Sequence, residues 1–143
     1  RHLRRLMLRH PNVFNQRVFA FFIDQGYYHA MLRRQFQLHQ HRGAELVHAL
    51  QQYCPTWRPY SLNGGAACWI DTQSDMDCAL LAKYAANVGV LIEAGQPFFF
   101  AENQHQHFLR LGIGSIPVHQ INKGIYYLSQ AVLDYQKYNP ASL

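Results

Sequence analysis

Apolar residues recur at intervals of three and four in the first third of the chain, a spacing that predicts amphipathic helices. We expect three of them, over residues 1–10, 12–25 and 27–53. Each is followed by a residue that ends helices: Pro11, Gly26 and Pro55.

The apolar positions of these helices indicate which sides are buried. The first helix carries Leu3, Leu6 and Met7 between arginines. The expected buried stripe of the second helix is Val13, Arg17/Val18, Phe21 and Phe22. The expected apolar side of the third is Leu32, Phe36, Val47, Leu50 and Tyr53.

After Pro55 the pattern changes to short strands and turns. The segment TWRPYSLNGGAACWID predicts two strands around an Asn63-Gly64-Gly65 turn, with the second ending at Asp71. Ser74 is the expected cap of a helix that has Asp75 and Asp77 in its first turn and ends at Gly89.

The remainder predicts two further strands and a long helix. VLIEAG is expected to be a short strand and turn, FFFAENQHQH a loop and FLRLGIG a strand. Ser115-Ile116-Pro117 reads as the start of a helix that ends at Asn139-Pro140. The whole order predicts an α+β fold, in which helices cover a small, mostly antiparallel sheet that follows a long N-terminal helical segment.

Arg110 is the one charged residue in the apolar run FLRLGIG. With a period of two, Leu109, Leu111 and Ile113 fall on a core face, whereas Arg110 falls on the other face beside glycines. A guanidinium can hold a carboxylate or phosphate with two parallel hydrogen bonds, so Arg110 is a candidate anion-binding residue. The alternative is an arginine that reaches solvent or pairs with a nearby acid.

The composition sets the class of protein. A chain of 143 residues with 49% hydrophobic content can bury one core, so we expect a single domain. No apolar run is long enough to cross a bilayer, and the basic start is not followed by the apolar region of a signal peptide. These features predict a soluble protein of the cytoplasm without a membrane partner.

Positive charge is concentrated near the start of the chain. Residues 1–42 hold eight arginines against Asp24 alone, whereas the rest of the chain has a small excess of acids. Such a segment can bind nucleic acid, but no helix-turn-helix, zinc-finger or RNA-binding motif accompanies it. An amphipathic helix packed on a neighbour is the favoured interpretation.

Cysteine and histidine patterns do not indicate a metal site. Cys54, Cys68 and Cys78 are an odd number at wide spacing, which favours free thiols in a reducing compartment. The pairs His39/His41 and His105/His107 have no Asp or Cys beside them, so polar surface is the favoured interpretation.

Five segments of the chain, taken in order, carry a family resemblance. They are LRRLMLRHPNVFNQ, FFIDQGYYHAMLRR, NGGAACWID, ALLAKYAANVGVLIEAGQPFF and LRLGIG. Together they resemble the C-terminal small domain of fold-type I enzymes that use pyridoxal phosphate, and most closely the aminotransferase-like half of the MocR branch of GntR transcription regulators. Two departures, Ala94 where the family has proline and Gln35 where it has methionine, affect local packing only.

The resemblance implies a ligand-binding role for Arg110 and places the cofactor site in another domain. In the family, the arginine of this strand holds the α-carboxylate of an amino-acid-like ligand. The cofactor lysine and the phosphate-binding residues of the family lie in a larger domain upstream, so no catalytic, cofactor-binding or metal-binding residue is expected in this chain. Lys83, Lys123 and Lys137 do not match the family's cofactor lysine.

The resemblance also implies a parent protein. Residues 1–26 would be a helical linker toward a missing large domain, and residues 27–143 the body of the small domain. The parent would be a homodimeric, effector-sensing regulator that binds DNA only through a separate N-terminal domain. The alternatives are a free aminotransferase and a stand-alone binding module without cofactor; the chain alone is not expected to be an enzyme.

Overall fold

The structure is a computed structural model that describes residues 12–60, 62, 65–100 and 105–139. The predicted first helix, with Leu3, Leu6 and Met7, lies outside the described residues, as do Asn63 and Gly64 of the predicted turn. The chain divides into two compact units, residues 1–36 and residues 37–143, which are considered separately.

The described part of the first unit consists of helix α1, Val13–Asp24, and the beginning of helix α2, Tyr27–Tyr53. Asn12 caps α1, because its side-chain oxygen accepts hydrogen bonds from the amides of Phe14 (3.0 Å) and Asn15 (3.3 Å). Gly26 adopts a φ of 74° between the two helices, a conformation that glycine reaches without strain. The predicted positions of both helices are therefore confirmed.

The predicted buried stripe of α1 is wrong. No residue of this helix is buried, and Val13, Val18 and Phe21 are 56%, 50% and 61% exposed. Within its own unit, α1 contacts the first turn of α2 through edge and tilted ring contacts, Phe19 with Tyr28 and Phe22 with Tyr27. Leu32 and Phe36 of α2, which the sequence also assigns to an apolar side, are exposed as well.

The second unit contains the rest of α2 and a four-stranded antiparallel sheet. Its strands are β1 (Arg58–Pro59), β2 (Ala67–Asp71), β3 (Glu93–Ala94) and β4 (Phe108–Gly112), in the spatial order β1-β2-β4-β3. Its other elements are α3 (Cys78–Asn87), a short 3-10 helix (Gln96–Phe98) and α4 (Val118–Tyr138).

The core of this unit lies between one face of the sheet and three helices. Side chains of β2 and β4 on this inner face are Cys68, Ile70, Leu109 and Leu111. The helices contribute Leu46, Ala49 and Leu50 from α2, Leu81 and Ala85 from α3, and Ile121, Ile125 and Leu128 from α4. The predicted α+β class, with helices covering a small antiparallel sheet, is confirmed.

Two predicted helix starts are wrong. Helix α3 begins after Asp77, whose carboxylate accepts hydrogen bonds from the amides of Ala79 (2.8 Å) and Leu80 (3.2 Å). Ser74 does not cap the helix, because its hydroxyl lies 3.2 Å from that of Thr72. Asp75 and Asp77 consequently precede the helix, and its first turn has no acid.

Helix α4 begins at Val118, after an extended Pro117 with ψ of 139°. Pro117 is the residue that precedes the helix and no side chain caps it, because Ser115 lies in a bend two residues further upstream. The short strand predicted within VLIEAG is Glu93–Ala94, and the amide of Val90 before it bonds to the carbonyl of Ala85 at the end of α3.

Candidate functional site

The face of the sheet that points away from the helices carries the candidate site. We call it the outer face, defined by Ala67, Trp69 and Asp71 of β2, Glu93 of β3, and Phe108, Arg110 and Gly112 of β4. Leu109, Leu111 and Ile113 are 0%, 6% and 3% exposed, so the alternation predicted for this strand is confirmed. Arg110 accordingly lies on the outer face.

Arg110 is paired with a carboxylate in the structure. Its Nη1 donates a hydrogen bond to Oε2 of Glu93 over 2.6 Å, and the two side chains are 40% and 56% exposed. The pair follows from the register, because Glu93 and Arg110 are direct partners across β3 and β4. The expectation that Arg110 holds a ligand carboxylate remains a prediction, and its nearby acid is now identified.

Trp69 is the partner of Arg110 on the opposite strand, β2. Its ring stacks on Phe108, with centroids 5.8 Å apart and planes inclined by 21°. Phe98 and Phe99, which follow β3, contact the same indole at 5.6 and 5.8 Å. An aromatic cluster therefore lies beside the charged pair on the outer face.

Toward Gly112, the described residues leave open space beside Arg110. Gly112 and Ala67 are partners across the sheet, and a Cβ placed on Gly112 would meet no atom within 4 Å. A ligand can thus approach the guanidinium over bare backbone, which is the property that the sequence assigns to the glycines of this strand.

A polar group lies at the far end of the outer face. Nε2 of His107 is 3.9 Å from Oδ1 of Asp71, and the ring of His107 lies against Phe108, with centroids 4.4 Å apart. His105 is near Phe99, at 4.3 Å between ring centroids, and adopts a φ of 83°. Both histidines therefore contact the aromatic cluster, at Phe99 and at Phe108.

Gly95 fixes strand β3 beside β4. Its amide donates to the carbonyl of Phe108 over 2.7 Å, and a Cβ at this position would lie 2.7 Å from Cβ and 2.8 Å from the oxygen of Phe108. Only glycine fits this approach, which holds Glu93 next to Arg110.

Arg42 of α2 supports the loop that follows β4. Its Nη1 donates to the carbonyl of Gly114 over 2.5 Å, and its buried Nε has no partner among the described residues. The sequence gives no sign of this contact, because the two residues are 72 positions apart.

An apolar cavity lies on the side of the sheet away from Arg110. It encloses about 330 Å³ on the core side of β4, where Leu111 and Ile113 contribute to its wall together with residues of α4. Its lining is almost wholly apolar and offers no charged group. The chemistry suited to an anion therefore lies on the open outer face and not in this cavity.

The three cysteines are buried free thiols. Burial raises the pKa of Cys54 and Cys68 to about 11, and a hydrogen bond with the backbone of Tyr60 opposes the rise at Cys68. Burial, with smaller contributions from Asp77 and Asp71, raises the pKa of Cys78 to about 12. Such thiols are protonated at neutral pH and poor nucleophiles.

Among the residues that the structure describes, no group of three or more His, Cys, Asp or Glu side chains is arranged to hold a metal ion. The same residues include no helix that is both long and apolar enough to pass through a bilayer.

Comparison with solved structures defines the class of the fold. A TM-score of 0.82 relates the chain to LysN, an α-aminoadipate aminotransferase from Thermus thermophilus, at 19% identity over 96% of this chain and 35% of that one. The kynurenine aminotransferase of Pyrococcus horikoshii gives a TM-score of 0.83 at 20% identity, over 92% of this chain and 33% of that one. The chain has the fold of an aminotransferase small domain.

Comparison of sequences finds a relative among transcription regulators. The chain is 30% identical over 132 residues to the HTH-type transcriptional regulator TauR of Rhodobacter capsulatus, a match that covers 92% of this chain and 27% of TauR. The chain therefore spans about a quarter of the curated relative that it matches. No protein-family profile matches the chain. The resemblance to an aminotransferase-like small domain of a GntR-type regulator is confirmed.

The lysines of the chain do not fit a site for pyridoxal phosphate. Lys83, Lys123 and Lys137 are exposed on α3 and α4, the helices that cover the inner face of the sheet. The ammonium groups of Lys123 and Lys137 lie over the rings of Tyr127 and Tyr138, at 5.7 and 5.4 Å from the centroids. None of them is beside Arg110, so these residues alone cannot hold the cofactor and a ligand carboxylate in one site.

Proposed function

We propose that this chain is the small domain of an effector-sensing transcription regulator with a pyridoxal phosphate-binding, aminotransferase-like body. The observation that carries the proposal is the match to an HTH-type regulator over 92% of the chain, together with the aminotransferase fold. The finer assignment to the MocR branch belongs to the proposal. The cofactor and the DNA-binding domain belong to parts of the protein outside these 143 residues.

In this proposal Arg110 binds the carboxylate of an amino-acid-like ligand. It is a permanently charged, partly exposed group with open backbone on one side, and a planar guanidinium matches a carboxylate in shape. Bound pyridoxal phosphate supplies an aldehyde that reacts with amino groups. The small domain binds the other end of the ligand, because Arg110 fixes the carboxylate and hence the orientation of the ligand.

Ligand binding by Arg110 would couple to DNA through domain closure. A ligand that contacts both the cofactor and Arg110 binds better to the arrangement that brings the two together, and so shifts the protein toward it. If the DNA-binding domains of a cytoplasmic homodimer have different spacing in that arrangement, the ligand changes the affinity for DNA.

A free aminotransferase with the same small domain is the second candidate, favoured by the likeness to solved aminotransferases. There the same carboxylate contact would position the α-carbon for proton abstraction.

One experiment on the intact protein separates the two. The regulator is expected to bind DNA from upstream of its own coding region, measured by fluorescence anisotropy, with an affinity that changes when an amino acid is added in the presence of pyridoxal phosphate. A free aminotransferase is expected to show no such DNA binding and to transfer an amino group to an α-keto acid.

The cofactor assignment has its own control. Borohydride reduction of the isolated chain with pyridoxal phosphate should leave Lys83, Lys123 and Lys137 unlabelled, as read by peptide mass spectrometry. Stoichiometric labelling of any of them would contradict a cofactor site outside this domain.

A further inference from the structure

The pair of Glu93 and Arg110 leaves part of the guanidinium free. The structure shows one hydrogen bond between them, from Nη1 to Oε2. A guanidinium has five N–H donors on a planar fork, so an occupied Nη1 leaves donors for a second anion. Both side chains are substantially exposed on the outer face and are reachable from the same side.

A carboxylate bound to Arg110 would lie next to the carboxylate of Glu93. The pair itself is neutral, so this ligand adds one uncompensated negative charge. A ligand with a second acidic group adds another and is repelled by Glu93. A neutral side chain avoids this repulsion, and a cationic one is attracted.

The described residues of the outer face offer no second lysine or arginine near the pair. Arg58 is exposed on β1, which is separated from β4 by β2, and it is the register partner of Asp71. Two strand spacings place it about 10 Å away across the sheet. The three lysines lie on helices that cover the inner face.

We propose that Glu93 is a specificity-determining residue of the Arg110 site, which selects ligands with one carboxylate and a neutral or cationic remainder over dicarboxylic amino acids. The inference rests on the proposed function and adds to it the charge class of the ligand.

Calorimetric titration of the intact, cofactor-loaded protein with L-glutamine, L-glutamate and L-lysine tests this proposal. Glutamine and glutamate have nearly the same shape and differ in charge, so the ratio of their dissociation constants isolates the charge effect. The unmodified protein is expected to bind glutamate more weakly than glutamine. Glu93→Gln is expected to reduce the ratio of the glutamate to the glutamine dissociation constant by roughly five- to tenfold, the size of one charge repulsion at a partly exposed site. It is also expected to weaken the binding of lysine, which loses an attractive charge.

Three variants serve as controls. Glu93→Asp retains the charge and should retain the discrimination. Asp134→Asn removes an exposed carboxylate from α4, on the other side of the sheet, and should leave the ratio unchanged. Circular dichroism melts should show that all variants are folded.

Arg110→Ala distinguishes failure of this inference from failure of the proposed function. If Arg110→Ala weakens glutamine but Glu93→Gln leaves the ratio unchanged, or if the unmodified protein does not discriminate, the role of Glu93 is overturned and the carboxylate site stands. If Arg110→Ala leaves every ligand unaffected, or if none of the three binds, the carboxylate site fails and the role of Glu93 with it.

Discussion

Arg110 shows what the sequence reveals about single residues. The alternation with Leu109 and Leu111 places it on the side of β4 away from the core, and the structure agrees. Its partner Glu93 is not predictable from local pattern, because β3 has only two residues and its register is set by backbone pairing over 17 positions. The ring contacts of Trp69 cannot be predicted from local pattern either, because they join segments that are far apart in the sequence.

The buried cysteines make a prediction about pH. Their folded pKa values, about 11 to 12, exceed the ordinary value of 9.0, so between these limits the folded state holds protons that the unfolded state has lost. Stability is therefore fully present below pH 9 and should fall as the pH rises toward 11. Urea unfolding of the chain between pH 7 and 10.5 measures this. A Cys54→Ala, Cys68→Ala, Cys78→Ala variant should lose less stability over the same range, and an equal loss would contradict the assignment.

At the scale of elements, helix lengths follow from sequence better than helix starts do. The bounds of α2 match the prediction because a glycine and a proline flank it, and both act through local backbone geometry. The caps at Ser74 and Ser115 are wrong because several neighbouring residues can cap a helix, and tertiary contacts choose among them. The buried stripe of α1 is wrong because periodicity reports an apolar side without saying what covers it.

A substitution at Gly95 tests whether its close approach to Phe108 holds β3 beside β4. Gly95→Ala should destabilise the domain by about 1–3 kcal/mol, because its Cβ would meet the backbone of Phe108 and push β3 away from β4. Gly124→Ala is the matched control, since a Cβ there meets nothing within 4 Å and alanine favours a helix, so that stability should be unchanged or slightly higher. The free energies of unfolding come from urea denaturation. Equal effects of the two substitutions would mean that the approach of Gly95 to Phe108 does not hold the sheet edge.

For the molecule as a whole, the order of elements, the sheet topology and the solved structures it resembles agree on the aminotransferase small-domain fold. Five ordered segments suffice to indicate it, whereas each one alone is too short. The function is harder to predict from this sequence than the fold is, because the chain spans about a quarter of its curated relative. The cofactor and the DNA are proposed to bind to other parts of the protein.

In the proposed function Arg110 holds the carboxylate of an amino-acid ligand, and calorimetric titration of the intact protein with glutamine is the direct test of this role. Arg110→Ala should weaken binding by roughly 2–4 kcal/mol, the range for losing one partner of a charge pair that closure of the domains over the ligand would remove from water, while cofactor absorbance is unchanged. Arg110→Lys should restore part of the loss, because a point charge cannot form two parallel bonds. Arg58→Ala, which removes an exposed arginine from the same sheet, should bind normally. Equal affinities of the unmodified protein and Arg110→Ala would contradict the account and leave Arg110 as a surface residue paired with Glu93.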